Sequence, residues 1–123
     1  MLWETLVPKV FASDGLLTVE LGALEKIKAG RASLSVELWR VRFILVDEGD
    51  RRDKLGVQQE GRTPHIGVFM KRGERSFAFW PKRTPAIIIQ LTDPAWNEII
   101  IGDANAKELA SALRLEIAKA KVD

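Results

Sequence analysis

The sequence predicts a mainly β fold with a terminal α-helix: a small, partly open β-barrel or sandwich of about seven antiparallel strands, capped by that helix. Three observations carry this reading. Between Ile66 and Ile101 the apolar residues come in short packets separated by Gly, Pro, Asp and Asn, the pattern of strands and turns. From Asp103 to Lys121 the apolar positions take up a helical period instead. The intervals between strand packets are too short for helical crossovers, so the sheets are expected to be largely antiparallel.

Taken in order, residues 1–15 are ambiguous, broken by Pro8 and by the Asp14-Gly15 turn signal. Leu16 to Leu21 alternates as a strand, with Leu17, Val19 and Leu21 on one face. Residues 22–30 read as a short helix, with Leu24, Ile27 and Lys28 at helical spacing and Gly30 as its C-terminal stop. Leu34, Val36 and Leu38 alternate in one phase, and Trp39, Val41, Phe43 and Leu45 in the other. A change of phase moves the buried set to the opposite face, so a bulge or corner is expected near Leu38-Trp39. Residues 47–64 are polar and turn-rich and read as one long loop.

Beyond that loop, strands are expected over Ile66–Met70, Arg75–Trp80, Ala86–Leu91 and Trp96–Ile101. Lys71-Arg72-Gly73-Glu74 is a hairpin signal, since Gly73 can take positive φ. Pro81 and Pro85 bracket a loop, and Thr92-Asp93-Pro94 marks a turn. Asp103 or Asn105 can cap the closing helix. Its inward stripe is expected to be Ala106, Leu109, Ala110, Leu113, Ile117 and Ala120. Leu115 points away from that stripe, either as a singly exposed leucine or as an oligomer contact.

The 123 residues are expected to form a single domain, 1–123, able to bury roughly two-thirds of the unfolded surface. A net charge of +2 is too small to argue for nucleic acid as a partner. The absence of Cys excludes disulfides, thiolate metal sites and thiol catalysis. The first residues show neither a basic nor a long apolar segment, and no apolar run is long enough to span a membrane. A cytoplasmic location is therefore expected.

No catalytic constellation is read from the residues, so the chain is not expected to be an enzyme. His65 is the lone histidine, and metal sites need several convergent ligands. The serines have no nucleophile-elbow context, and the glycines are spaced for turns rather than for a phosphate loop. Asp47, Glu48, Asp50 and Asp53 lack the order of a calcium loop and are interleaved with Arg51 and Arg52. Neither a metal nor any other cofactor is expected. An enzyme using His65 with a loop carboxylate, Asp47 or Glu60, stays as the weakest alternative.

A basic group stands out more. Residues 62–83 hold six cations against the single acid Glu74, whereas residues 47–60 carry a net negative charge. Lys71, Arg72, Lys82 and Arg83 sit in two loops that, if convergent, would contact a phosphorylated ligand or an anionic membrane surface. Those loops follow successive antiparallel strands, however, and should emerge at opposite ends of the sheet.

Several short segments together resemble the bacterial pleckstrin-homology-like (PH-like) domains, over about Leu16 to Lys121. They are Leu24-Glu25-Lys26-Ile27, Leu34-Ser35-Val36-Glu37-Leu38, Gly61-Arg62-Thr63-Pro64 and Gly67-Val68-Phe69. Gly73-Glu74-Arg75-Ser76-Phe77, Ile87-Ile88-Ile89-Gln90-Leu91, Ile99-Ile100-Ile101-Gly102-Asp103 and the helix complete the set. The resemblance implies two antiparallel sheets in a partly open barrel closed at one end by the helix. Most bacterial members have no assigned activity, so it is the strand-plus-terminal-helix pattern and the absence of a catalytic constellation that lead to the expected function, a non-catalytic module for protein association or homo-oligomerisation in a bacterial cell. PH-like domains often receive peptides between a sheet edge and the helix, and Trp39, Trp80 and Trp96 are the residues expected to line such a groove. The lipid motif of eukaryotic members, basic residues in the first hairpin, has no clear match here.

Overall fold

A computed structural model describes residues 8–22 and 33–122. Nine strands and a closing helix make up the described chain, arranged as two separately hydrogen-bonded sheets of three and six strands. The sheets stack as a sandwich and do not close into a barrel. Two of the strands, the first and the fifth, lie in segments that the sequence left ambiguous or read as loop.

The smaller sheet is a meander of β1 (Lys9–Ser13), β2 (Leu16–Glu20) and β3 (Ser33–Glu37). Asp14 and Gly15 both take positive φ, which suits the tight turn between twisted antiparallel strands. Leu17, Val19, Leu34 and Val36 are buried on its inner face, as the alternation predicts. Its outer face carries Phe11, Leu16 and a Thr18–Ser35 hydroxyl pair at 3.2 Å. The helix expected over 22–30 lies, apart from Gly22, outside the described residues.

The expected corner is a single 3-10 turn, Leu38–Arg40, which carries the chain across to the larger sheet. Leu38 is its buried residue, and Trp39 projects outward. β4 (Val41–Asp47) follows, with a register shift between Val41 and Phe43. That shift corrects the expected phase. Val41 and Ile44 face the core, whereas Phe43 and Leu45 are more than two-fifths exposed on the opposite face.

In the six-stranded sheet the order is β4, β8 (Ala86–Leu91), β9 (Glu98–Gly102), β7 (Glu74–Phe79), β6 (Ile66–Lys71) and β5 (Val57–Thr63). β7 and β9 are parallel, against the expectation of antiparallel pairing throughout. Parallel neighbours need no long crossover when they are not consecutive. The Trp80–Pro85 connection skips one strand position, and β9 fills the gap after returning from β8. The β6–β7 hairpin turns on Arg72 and Gly73, both at positive φ.

Residues 47–64 are not one loop. Asp50–Lys54 forms a 3-10 turn, and 57–63 is the edge strand β5. β5 hides from sequence patterning because an edge strand buries little and so needs no apolar alternation. It is also irregular, with register shifts on both sides of Glu60. The Gln58 amide steadies it by reaching the carbonyls of Glu60, Thr63 and Ile66.

Over its central strands β6 to β9 the large sheet is buried on both faces. Ile66, Val68, Phe77, Phe79, Ile87, Ile89, Ile99 and Ile101 join the smaller sheet and the helix in the main core. Phe69, Ala78, Trp80, Ala86, Ile88 and Ile100 form a second cluster on the other face, covered by Leu55. Two-sided burial accounts for the unbroken isoleucine runs.

The helix α1 (Ala106–Val122) packs against β1, β4, β8 and the Leu38–Arg40 turn, closing the open side between the sheets. Asp103 Oδ1 accepts from the Asn105 N–H, and the Asn105 carbonyl takes the Leu109 N–H to start the helix. Ala106, Ala110, Leu113 and Ile117 are buried and Leu109 is half-buried. Ala120 is exposed instead. No described helix is long and apolar enough to cross a membrane.

Candidate functional site: a groove between an edge strand and the closing helix

β4 is the last strand in the order of the large sheet, and among the described residues it pairs with β8 alone. An edge strand leaves backbone donors and acceptors unpaired. Here α1 packs beside that edge. Val41, Arg42, Phe43 and Ile44 on the strand face Arg114, Ile117 and Ala118 on the helix across a groove of about 290 Å³. The small side chain of Ala118 leaves the space open. Ile44 and Ile117 supply an apolar floor, and exposed Phe43 supplies a rim.

Among the described residues that line the groove, charge is one-sided: Arg42 and Arg114 are the ionisable ones. The Arg42 guanidinium lies 5.6 Å from the Phe43 ring centroid, within cation–π range. Arg114 donates a hydrogen bond to the Ile44 carbonyl. Glu116, the nearest acid along the helix, faces Lys119 at 3.7 Å. Among the described residues, neither Arg42 nor Arg114 is ion-paired.

The three tryptophans expected along a groove are dispersed. Trp39 stands 64% exposed on the 3-10 turn, with the Arg40 guanidinium 4.2 Å from its ring centroid. Its indole N–H donates to Glu37 at 2.9 Å. That hydrogen bond first, and the Arg40 hydrogen bond second, hold the Glu37 carboxyl below its ordinary range. Trp80 is fully buried in the second cluster, on the sheet face turned away from α1, and its indole donates to the Thr84 carbonyl. Trp96 belongs to the main core, edge-on to Phe77 and under the Arg75 guanidinium. Leu115 is 57% exposed on the outer side of α1.

Lys71 and Arg72 lie at one end of β7, and Lys82 and Arg83 at the other. Two of the four are occupied internally: Lys71 Nζ donates to the Lys54 carbonyl, and Arg83 pairs with Asp53 at 2.6 Å. Both fasten the same segment, Asp50–Leu55, over the second cluster. Arg52 adds two hydrogen bonds, to the Trp80 and Pro81 carbonyls, and Arg51 pairs with Glu98 at 3.0 Å. Asp47 Oδ2 accepts the N–H groups of Gly49 and Arg51 and so starts this segment.

His65 occupies the second position of the Pro64-His65 turn with φ 66° and lines a cleft of about 210 Å³. Its acidic neighbour is Asp53, 3.6 Å away, rather than Asp47 or Glu60. The Arg83 hydrogen bond is the main cause of a lowered Asp53 pKa. Arg52 and Gln58, the other strong donors lining this cleft, already serve backbone carbonyls. The cleft therefore reads as the seam under which the covering segment is held.

Sequence reasoning missed Arg42, Arg114 and Ala118. A sheet edge is a property of strand order, which no local pattern shows. The usable signal was the flank of the closing helix, where Arg114 and Ala118 stand one turn apart beside Ile117. Comparison with protein-family models, curated proteins and solved structures finds no match to this chain.

Proposed function

We propose that this chain is a non-catalytic association module, PH-like in kind, that receives an extended segment of another protein along β4 and α1. The observation that carries the reading is the groove itself, with a strand edge that no other described strand pairs on one side and a helix flank on the other. Such an edge binds by strand addition: backbone hydrogen bonds supply affinity, and alternate side chains fit pockets on either face. Exposed Phe43 and Leu45 would add apolar contact area at the rim. The resemblance to bacterial PH-like domains points the same way, since peptides often dock there between a sheet edge and the helix.

Selection of random displayed peptides on the immobilised protein tests the proposal. Peptides should be enriched on the wild type and on Leu115→Trp, and lost on Ala118→Trp, which fills the groove without entering the core. Enrichment that survives Ala118→Trp, or that is lost with Leu115→Trp, would place the binding surface elsewhere.

A further inference from the structure

The Ile44 carbonyl belongs to the edge that an added strand would pair with, yet Arg114 already donates to it. A docking strand must therefore share or displace this guanidinium before its own N–H can reach Ile44. Moving a hydrogen-bonded cation aside is unfavourable unless a new acceptor receives it. Arg42 lines the same groove, and among the described residues no acidic side chain lines it. We infer that the groove selects an extended segment bearing carboxylates, and that Arg114 acts as a placeholder which moves from the Ile44 carbonyl to a partner carboxylate as the strand docks.

This inference rests on the groove being the docking site and adds the chemistry of its occupant. In the free protein the Arg114 side chain satisfies an edge carbonyl that would otherwise invite indiscriminate strand pairing, and natural sheets commonly guard edges with charge. On docking, one guanidinium–carbonyl bond is exchanged for a backbone N–H···O bond plus a charge-assisted pair, the stronger combination. A neutral segment gains the backbone bond but leaves Arg114 without an anionic acceptor. A basic segment meets like charge from both arginines. The groove thus discriminates by repulsion as well as attraction.

Short synthetic peptides alternating Val with Asp, with Ser or with Lys provide the probes, titrated into isotopically labelled protein and followed by backbone NMR shifts. The Asp peptide should bind about tenfold more tightly than the Ser peptide, the size of one charge-assisted hydrogen bond in a partly desolvated groove. The preference should shrink as salt rises. Arg114→Glu, an exposed substitution that leaves Arg42 in place, should abolish the preference for the Asp peptide. Equal binding of the Asp and Ser peptides, with shifts confined to β4 and α1, would leave the docking site standing and overturn the selection for carboxylates. A preference for Asp that persists in Arg114→Glu would overturn the role of Arg114. If no peptide moves β4 or α1 resonances at millimolar concentration, the docking site itself falls.

Discussion

Leu55→Ala tests whether the Asp50–Leu55 segment is a structural cover rather than a polar loop. Leu55 is 8% exposed and closes the cluster of Phe69, Ala78, Trp80, Ala86, Ile88 and Ile100. A buried Leu→Ala change costs about 2–5 kcal/mol, depending on how far the site collapses. Leu55 sits at the margin of its cluster, where water can enter and neighbours can relax, so the lower end applies, about 2–3 kcal/mol. With a urea dependence of about 1–3 kcal/mol per molar, the denaturation midpoint should fall by about 0.7–3 M. Trp80, buried directly in this cluster, makes intrinsic fluorescence a local reporter of the transition. A change below about 0.5 kcal/mol, typical of a solvated surface position, would refute the covering role.

Arg52→Lys should cost about 1–2 kcal/mol in the same denaturation assay. Lysine cannot reproduce the paired bonds to the Trp80 and Pro81 carbonyls, and a neutral result would remove that clamp from the account. Gly67→Ala should cost several kcal/mol or prevent folding, because Gly67 has φ 140° and an added Cβ would run into the Glu60 carbonyl. Soluble, normally stable Gly67→Ala protein would show that β5 does not pack there. The lowered Asp53 and Glu37 carboxyls stabilise the fold above their unfolded pKa values, and that contribution fades as pH falls through each depressed folded value. In carboxyl NMR titrations Arg83→Ala should raise the Asp53 pKa and Trp39→Phe the Glu37 pKa, each leaving the other group unmoved. An Asp53 titration unchanged by Arg83→Ala would contradict the ion pair.

Where a feature depends on local periodicity, it was legible before the structure. The β6–β7 hairpin follows from Arg72-Gly73 between alternating runs, and Ala106, Ala110, Leu113 and Ile117 lie on the helix face assigned to the core. The Leu38–Arg40 corner was visible as a break in phase, but the bulge after Val41 then turned Phe43 and Leu45 outward, and one inserted residue is enough to do that. Leu55 stands in a polar run with Val57 as its only apolar companion, and Val57 is exposed, so the burial of Leu55 under a clamp of charged neighbours left no pattern to read. β5 is polar because it is an edge, and the β7–β9 pair is parallel because of strand order. The same limit hid the groove: Arg42 and Arg114 are 72 positions apart and meet through topology alone. The aromatic residues that drew attention were instead distributed among two cores and one exposed turn.

The most direct test of strand docking is backbone amide hydrogen exchange along β4, with and without the alternating Val–Asp peptide. Ile44 and its β4 neighbours should gain protection when the peptide is present, while β5 at the opposite edge of the sheet and the Leu115 side of α1 stay unchanged. Protection appearing along β5 or around Leu115, with β4 unaffected by bound peptide, would contradict the account.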